Sequence, residues 1–66
     1  MPIRGPELRA ERRAAEVTVV DIAARMGLSR QSVHVLEGSA IVSLERVEQY
    51  RKALADAIET ARRGVA

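Results

Sequence analysis

The sequence predicts an all-α chain in which three short helices are followed by one long one. Prolines occur only at Pro2 and Pro6, while Ala, Leu, Arg and Glu, all good helix formers, are abundant. Apolar residues recur at helical spacing, and no strand-like alternation bounded by turn signals is present. Residues 1–5 are expected to form a flexible arm. Pro6 suits the first turn of a helix, with Glu7 and Glu11 placed to complement its dipole. Leu8, Ala14, Ala15 and Val17 supply the apolar side, and the pattern stops near Glu16.

Thr18 is the next N-cap candidate, and Thr18 with Asp21 has the spacing of a capping box. Val19, Ile22, Ala23 and Met26 fall at i, i+3, i+4 and i+7, one buried stripe. Gly27 stands where a C′ glycine takes the left-handed conformation that ends a helix. Leu28 fills the corner, and Ser29 caps a third helix from Arg30 to about Glu37, ended by Gly38 and Ser39. Ser43 caps the last helix, Leu44 to Arg63, which Gly64 ends. Leu44, Val47, Leu54 and Ile58, with Tyr50 or Arg51 between, give it an apolar stripe, and Glu48–Lys52 and Glu59–Arg63 have the favourable i, i+4 order.

Composition excludes several classes. A chain of 66 residues holds one small domain, buries roughly 60% of its unfolded surface and gains from self-association. No cysteine is present, which removes disulfides and thiolate metal sites and favours an intracellular location. One histidine cannot assemble a zinc site alone, so no metal ligands are expected. No apolar run approaches ~18 residues, so neither a membrane span nor a membrane partner is expected. No nucleophile–base set or glycine-rich phosphate loop occurs, and the chain is too short to enclose a pocket; the expectation is no enzyme, no cofactor and no small-molecule ligand. Net charge is +2, and ten of the eleven basic residues are arginine, Lys52 being the exception. A GC-rich genome would produce that bias through codon usage alone. Arginine nonetheless suits phosphate and guanine, because its planar fork bonds two acceptors at once.

The third helix has a free face. With Val33 and Leu36 turned inward at about 100° per residue, Arg30, Gln31, His34 and Val35 lie outward. A guanidinium, an amide, an imidazole and a small apolar group match what the DNA major groove presents. Ser29, Ser32 and the free N–H groups at the helix start are suited to phosphate oxygens. Thr18, Arg25 and Arg46 flank that helix as further candidate backbone contacts.

The stretch Thr18 to Glu37, with Ala23, Gly27, Ser29, Val33 and Glu37, resembles the Cro/repressor-type (XRE family) helix-turn-helix. The likeness extends back through Leu8, Arg9 and Arg12 and forward to about Val47. It implies a small helix-turn-helix bundle of lambda-repressor-like fold, with the third helix in the major groove of double-stranded DNA. Arg30, Gln31 and Val35 then fall where relatives touch bases, and Ser32 near where they touch phosphate. It also implies that Arg12 and Glu37 form a buried salt bridge, and the helical wheel puts Glu37 nearer the inner side. Val19 departs from the glutamine that relatives often carry, and the loop after Glu37 lacks their basic residues.

One long helix replaces two shorter ones. Residues 6–49 are expected to form the DNA-binding unit and 50–66 a helical extension with nothing in the chain to cover it. A homodimer through Tyr50, Leu54, Ala57, Ile58 and Ala61 is therefore expected, on a palindromic operator with half-sites ~34 Å apart. The function expected is a small cytoplasmic repressor of phage or plasmid type that acts by operator occupancy, at the bacterial nucleoid or in a phage-infected host. The alternative is a protein-interaction module of the same fold, an antitoxin or antirepressor binding a protein partner.

Overall fold

A computed structural model describes residues 3–64. Four helices follow one another: α1 (Gly5–Ala14), α2 (Val19–Met26), α3 (Arg30–Glu37) and α4 (Leu44–Arg63). Among the described residues the single β-type contact is an isolated bridge between Ile3 and Val42. No described helix is long and apolar enough to cross a membrane.

Each junction has a local cause. α1 carries proline in its opening turn, Glu7 at its positive end and Arg12 and Arg13 at its negative end. It stops at Glu16, which adopts a left-handed φ of 59°. Glu16 N–H then bonds Arg13 O at 3.0 Å and Val17 N–H bonds Arg12 O at 3.1 Å, a Schellman closure. α2 ends the same way at Gly27, φ 68°, where glycine meets no steric penalty. Thr18, Ser29 and Ser43 cap α2, α3 and α4, each hydroxyl accepting a backbone N–H three residues on. The reciprocal half of the Thr18 box is replaced, because the Asp21 carboxylate bonds Arg25 instead.

One core joins all four helices. Leu8, Ile22, Val33 and Tyr50 are its largest fully buried side chains, each contributing about 1.5–3 kcal/mol of apolar burial. Ala23, Val42, Val47, Ala53 and Leu54 complete it. α4 packs chiefly on α2 and also on α1, while α3 packs on α1 and α2.

Five expectations are corrected. Leu44 does not join the core; it is 71% exposed, whereas Val42 from the preceding loop is buried in it. The boundary at residue 50 is absent, because Tyr50, Ala53 and Leu54 belong to the same buried core as Leu8 and Ile22. Tyr50, Leu54 and Ala57, expected at a dimer interface, are therefore buried inside the chain, and only Ile58 and Ala61 of that set are exposed. The described part of the arm is pinned, with Val42 N–H on Ile3 O at 3.0 Å and Gly5 N–H on Ser39 O at 2.8 Å; residues 1 and 2 lie outside the described residues. On α4, Glu59 does pair with Arg63, but Lys52 pairs with Asp56 rather than Glu48.

Gly5 explains the pinned start. A Cβ there would collide with the carbonyl oxygen of Leu36 and stand 2.7 Å from the carbonyl of Glu37. Only a bare backbone lets the positive end of α1 rest on the negative end of α3.

Candidate functional site

The geometry of the site begins at the three-residue join between α2 and α3. Gly27 turns the chain, Leu28 N–H bonds back to Ala23 O at 2.9 Å, and Leu28 packs against the core. Ser29 accepts the N–H of Ser32 at 3.1 Å and donates to its hydroxyl at 2.9 Å. The next helix thus restarts at once, with its first residues Arg30, Gln31 and Ser32 exposed.

Val33 is fully buried and Leu36 partly so, which fixes the rotation of α3. The opposite face carries Arg30, Gln31, His34 and Val35, all exposed. Among the described residues no side chain pairs with Arg30, Gln31 or His34. Their polar ends are available to a ligand, and the helix beneath them is held rigidly.

The flanking candidates are placed less freely. Thr18 is exposed but its hydroxyl is engaged as a cap. Arg25 Nε donates to Asp21 Oδ1 at 2.6 Å, and Arg46 Nη1 donates to Gln49 Oε1 at 3.0 Å. Arg25 and Arg46 nevertheless line one shallow depression together with Lys52 and Asp56, so the ends of α2 and α4 bring three cations into one region.

Beneath this surface lies a buried polar network. Arg12 meets Glu37 in a bidentate pair, Nε to Oε2 at 2.8 Å and Nη2 to Oε1 at 3.1 Å. The remaining Arg12 Nη1 donates to Val17 O at 2.9 Å, at the turn after α1. Tyr50 Oη donates to Glu37 Oε2 at 2.6 Å. Burial opposes ionisation of Glu37, but the bonds from Arg12 and Tyr50 and the Arg12 charge outweigh it and hold its carboxyl below the usual value. The bond to Glu37 raises the Arg12 guanidinium against the effect of burial. Burial first, and then the bond to Glu37, push the Tyr50 phenol well above its ordinary value. No described buried side-chain polar atom lacks a partner, so the network meets the condition under which buried charge is tolerated.

Tyr50 is the member that sequence reasoning missed. Its signal was present, since a tyrosine on an inward stripe with Val47 and Leu54 must find a partner for its hydroxyl. Ile41 and Leu44 were also missed as surface groups. Among the described residues no group of three or more His, Asp or Glu is placed to hold a metal ion. Comparison of the sequence with protein families, with curated proteins and with solved structures finds nothing that matches.

Proposed function

We propose that the chain is a sequence-specific double-stranded DNA-binding regulator of helix-turn-helix type, a dimeric, cytoplasmic repressor that works by occupying its operator. One observation carries this proposal. α3 is locked from behind by Val33 and Glu37, and its front holds Arg30, Gln31, His34 and Val35 free and side by side. Arg30 suits guanine O6 and N7, Gln31 suits adenine N6 and N7, and Val35 suits a thymine methyl. Ser29, Ser32, Thr18, Arg25 and Arg46 supply phosphate contacts around that face, which set register rather than sequence.

The test is a gel-shift against a randomised duplex library at several salt concentrations. The expected result is a recovered half-site and an affinity that falls steeply with salt. Arg30→Ala is expected to cost about 1–3 kcal/mol at one base position. Binding that ignores both salt and sequence would overturn the proposal.

A protein-binding role draws on a different observation, the exposure of Val35, Ile41 and Leu44. Arg30 and Gln31 count against a protein-only surface, because groups with several hydrogen-bonding atoms are costly to bury in an apolar contact.

A further inference from the structure

α1 begins without the cap that the other helices have. Thr18, Ser29 and Ser43 each accept a backbone N–H at the start of their helices, whereas the side chain of Arg4, at the N-cap of α1, bonds none. A guanidinium there faces the positive end of a helix, where a carboxylate or a neutral acceptor is favoured. The negative end of α3 abuts the start of α1 and lessens that repulsion. Even so, Arg4 is exposed, and among the described residues no carboxylate pairs with it. A local rule set aside with no compensating contact inside the chain is expected at functional positions.

The backbone that carries Arg4 is fixed on both sides. Val42 N–H bonds Ile3 O at 3.0 Å, and Gly5 N–H bonds Ser39 O at 2.8 Å. Gly5 also rests directly on the carbonyls of Leu36 and Glu37, at the end of α3. Ile3 packs against the core, and Arg4 has extended dihedrals (φ −90°, ψ 146°), so its side chain turns the other way. Residues 38–42 hold no charged side chain. The N-terminal segment therefore brings a cation to a loop that encodes none. Arg46 also borders the loop, in a groove with Ser39, Ile41 and Val42, but its Nη1 donates to Gln49 Oε1. Arg4 has no such tether.

We infer that Arg4 binds a DNA phosphate, on the strand beside the C-terminal end of α3. This rests on the DNA-binding proposal and extends it to a residue outside α2, α3 and α4. α3 has eight residues, so it is about 12 Å long, roughly the width of the major groove. With α3 in the groove, a cation just past its end stands beside the phosphates that bound the groove. Arg4 lies beyond α3 and not on the face that carries Arg30 and Gln31, so it adds affinity and register and reads no base. Its pinned backbone leaves only the side chain to be ordered on binding.

Arg4→Gln, Arg4→Lys and Arg62→Gln would be compared with the parent by gel-shift over a salt series, on the duplex recovered from the randomised library and on an unrelated duplex. Arg4→Gln is expected to make the slope of log affinity against log salt shallower by about 0.9, and to weaken binding about eight-fold at about 0.1 M salt. The loss should be the same on both duplexes. Arg4→Lys should keep the parent slope, since a phosphate contact needs the charge. Arg62→Gln, in the last turn of α4, should keep it too. Ethylation of single phosphates should reveal one that interferes with the parent and no longer interferes with Arg4→Gln. The thermal midpoint of Arg4→Gln should match the parent, because no ion pair is lost. A midpoint that falls would make Arg4 a structural residue, and an unchanged salt slope would deny it a phosphate. Either result overturns the inference and leaves the DNA-binding proposal standing. A parent that binds no duplex at any salt removes that proposal, and the phosphate contact with it.

Discussion

Tyr50 donates its hydroxyl to Glu37 across 2.6 Å, although 13 residues and the whole α3–α4 loop separate them in sequence. Glu37 in turn holds Arg12, so one carboxylate ties α1, α3 and α4 together. Glu37→Ala strands a buried guanidinium and a buried phenol, and is expected to cost about 3–5 kcal/mol. Tyr50→Phe leaves the Arg12–Glu37 pair intact and should cost about 1.5–3 kcal/mol, the worth of a hydrogen bond to a charged group. Urea melts of both variants check this. A Tyr50→Phe protein as stable as the parent would show that the bond contributes nothing.

The same network sets a pH window. The Glu37 carboxyl lies lower in the folded chain than its ordinary 4.5, so its stabilisation is present above that value and is lost as pH falls through the folded value. The Tyr50 phenol lies above its ordinary 10.0, so its contribution is present below 10.0 and is lost as pH rises beyond it. Denaturant midpoints should therefore fall at both extremes. Glu37→Gln should flatten the acid limb and Tyr50→Phe the alkaline limb; unchanged limbs would assign the dependence to other groups.

Gly5→Ala pits two effects against each other. Alanine is the better helix former by about 1 kcal/mol in a helix interior. Its methyl, however, would strike the backbone carbonyls of Leu36 and Glu37, which cannot rotate aside. The clash should win, with a net loss of about 1–3 kcal/mol. In a domain this small that lowers the thermal midpoint by several degrees, at about 4–8 °C per kcal/mol. A midpoint that rises would mean that α1 shifts freely.

Glu16→Gly should act in the opposite direction. Glu16 holds φ at 59°, a conformation that costs a residue with a Cβ about 1–2 kcal/mol. Glycine removes that strain and returns part of the gain as unfolded-state entropy, leaving about 0.5–1 kcal/mol of stabilisation. Calorimetry should record a rise of several degrees, and no rise would mean that the backbone there is already relaxed.

What could be read from sequence, and what could not, follows the range of the interaction. The Thr18, Ser29 and Ser43 caps and the Gly27 turn are decided within four residues of chain, so sequence spacing suffices to find them. The Arg12–Glu37 pair spans 25 residues; family likeness suggested it, and the wheel agreed only in direction. Leu44 and Val47 share an apolar spacing, yet Leu44 is exposed and Val42 of the preceding loop is buried instead. Which loop residue turns inward depends on the path of the chain, which periodicity does not encode. Tyr50, Leu54 and Ala57 point to a partner on sequence alone, because nothing in their own helix shows that the rest of the chain buries them. The free face of α3 is legible in the sequence, because Val33 and Leu36 fix its rotation from within the helix.

The bridge from Ile3 to Val42 and the bond from Gly5 to Ser39 hold the loop that carries Ile41 from the N-terminal side, while Ser39 Oγ donates to Val35 O at 2.8 Å and holds it from α3. A surface anchored at both ends has little conformational freedom left to lose when something docks on it. The first residues of the chain thus act at a distance. Loosening the Ile3 anchor should therefore free the loop from Ser39 to Val42 without changing any side chain that it carries.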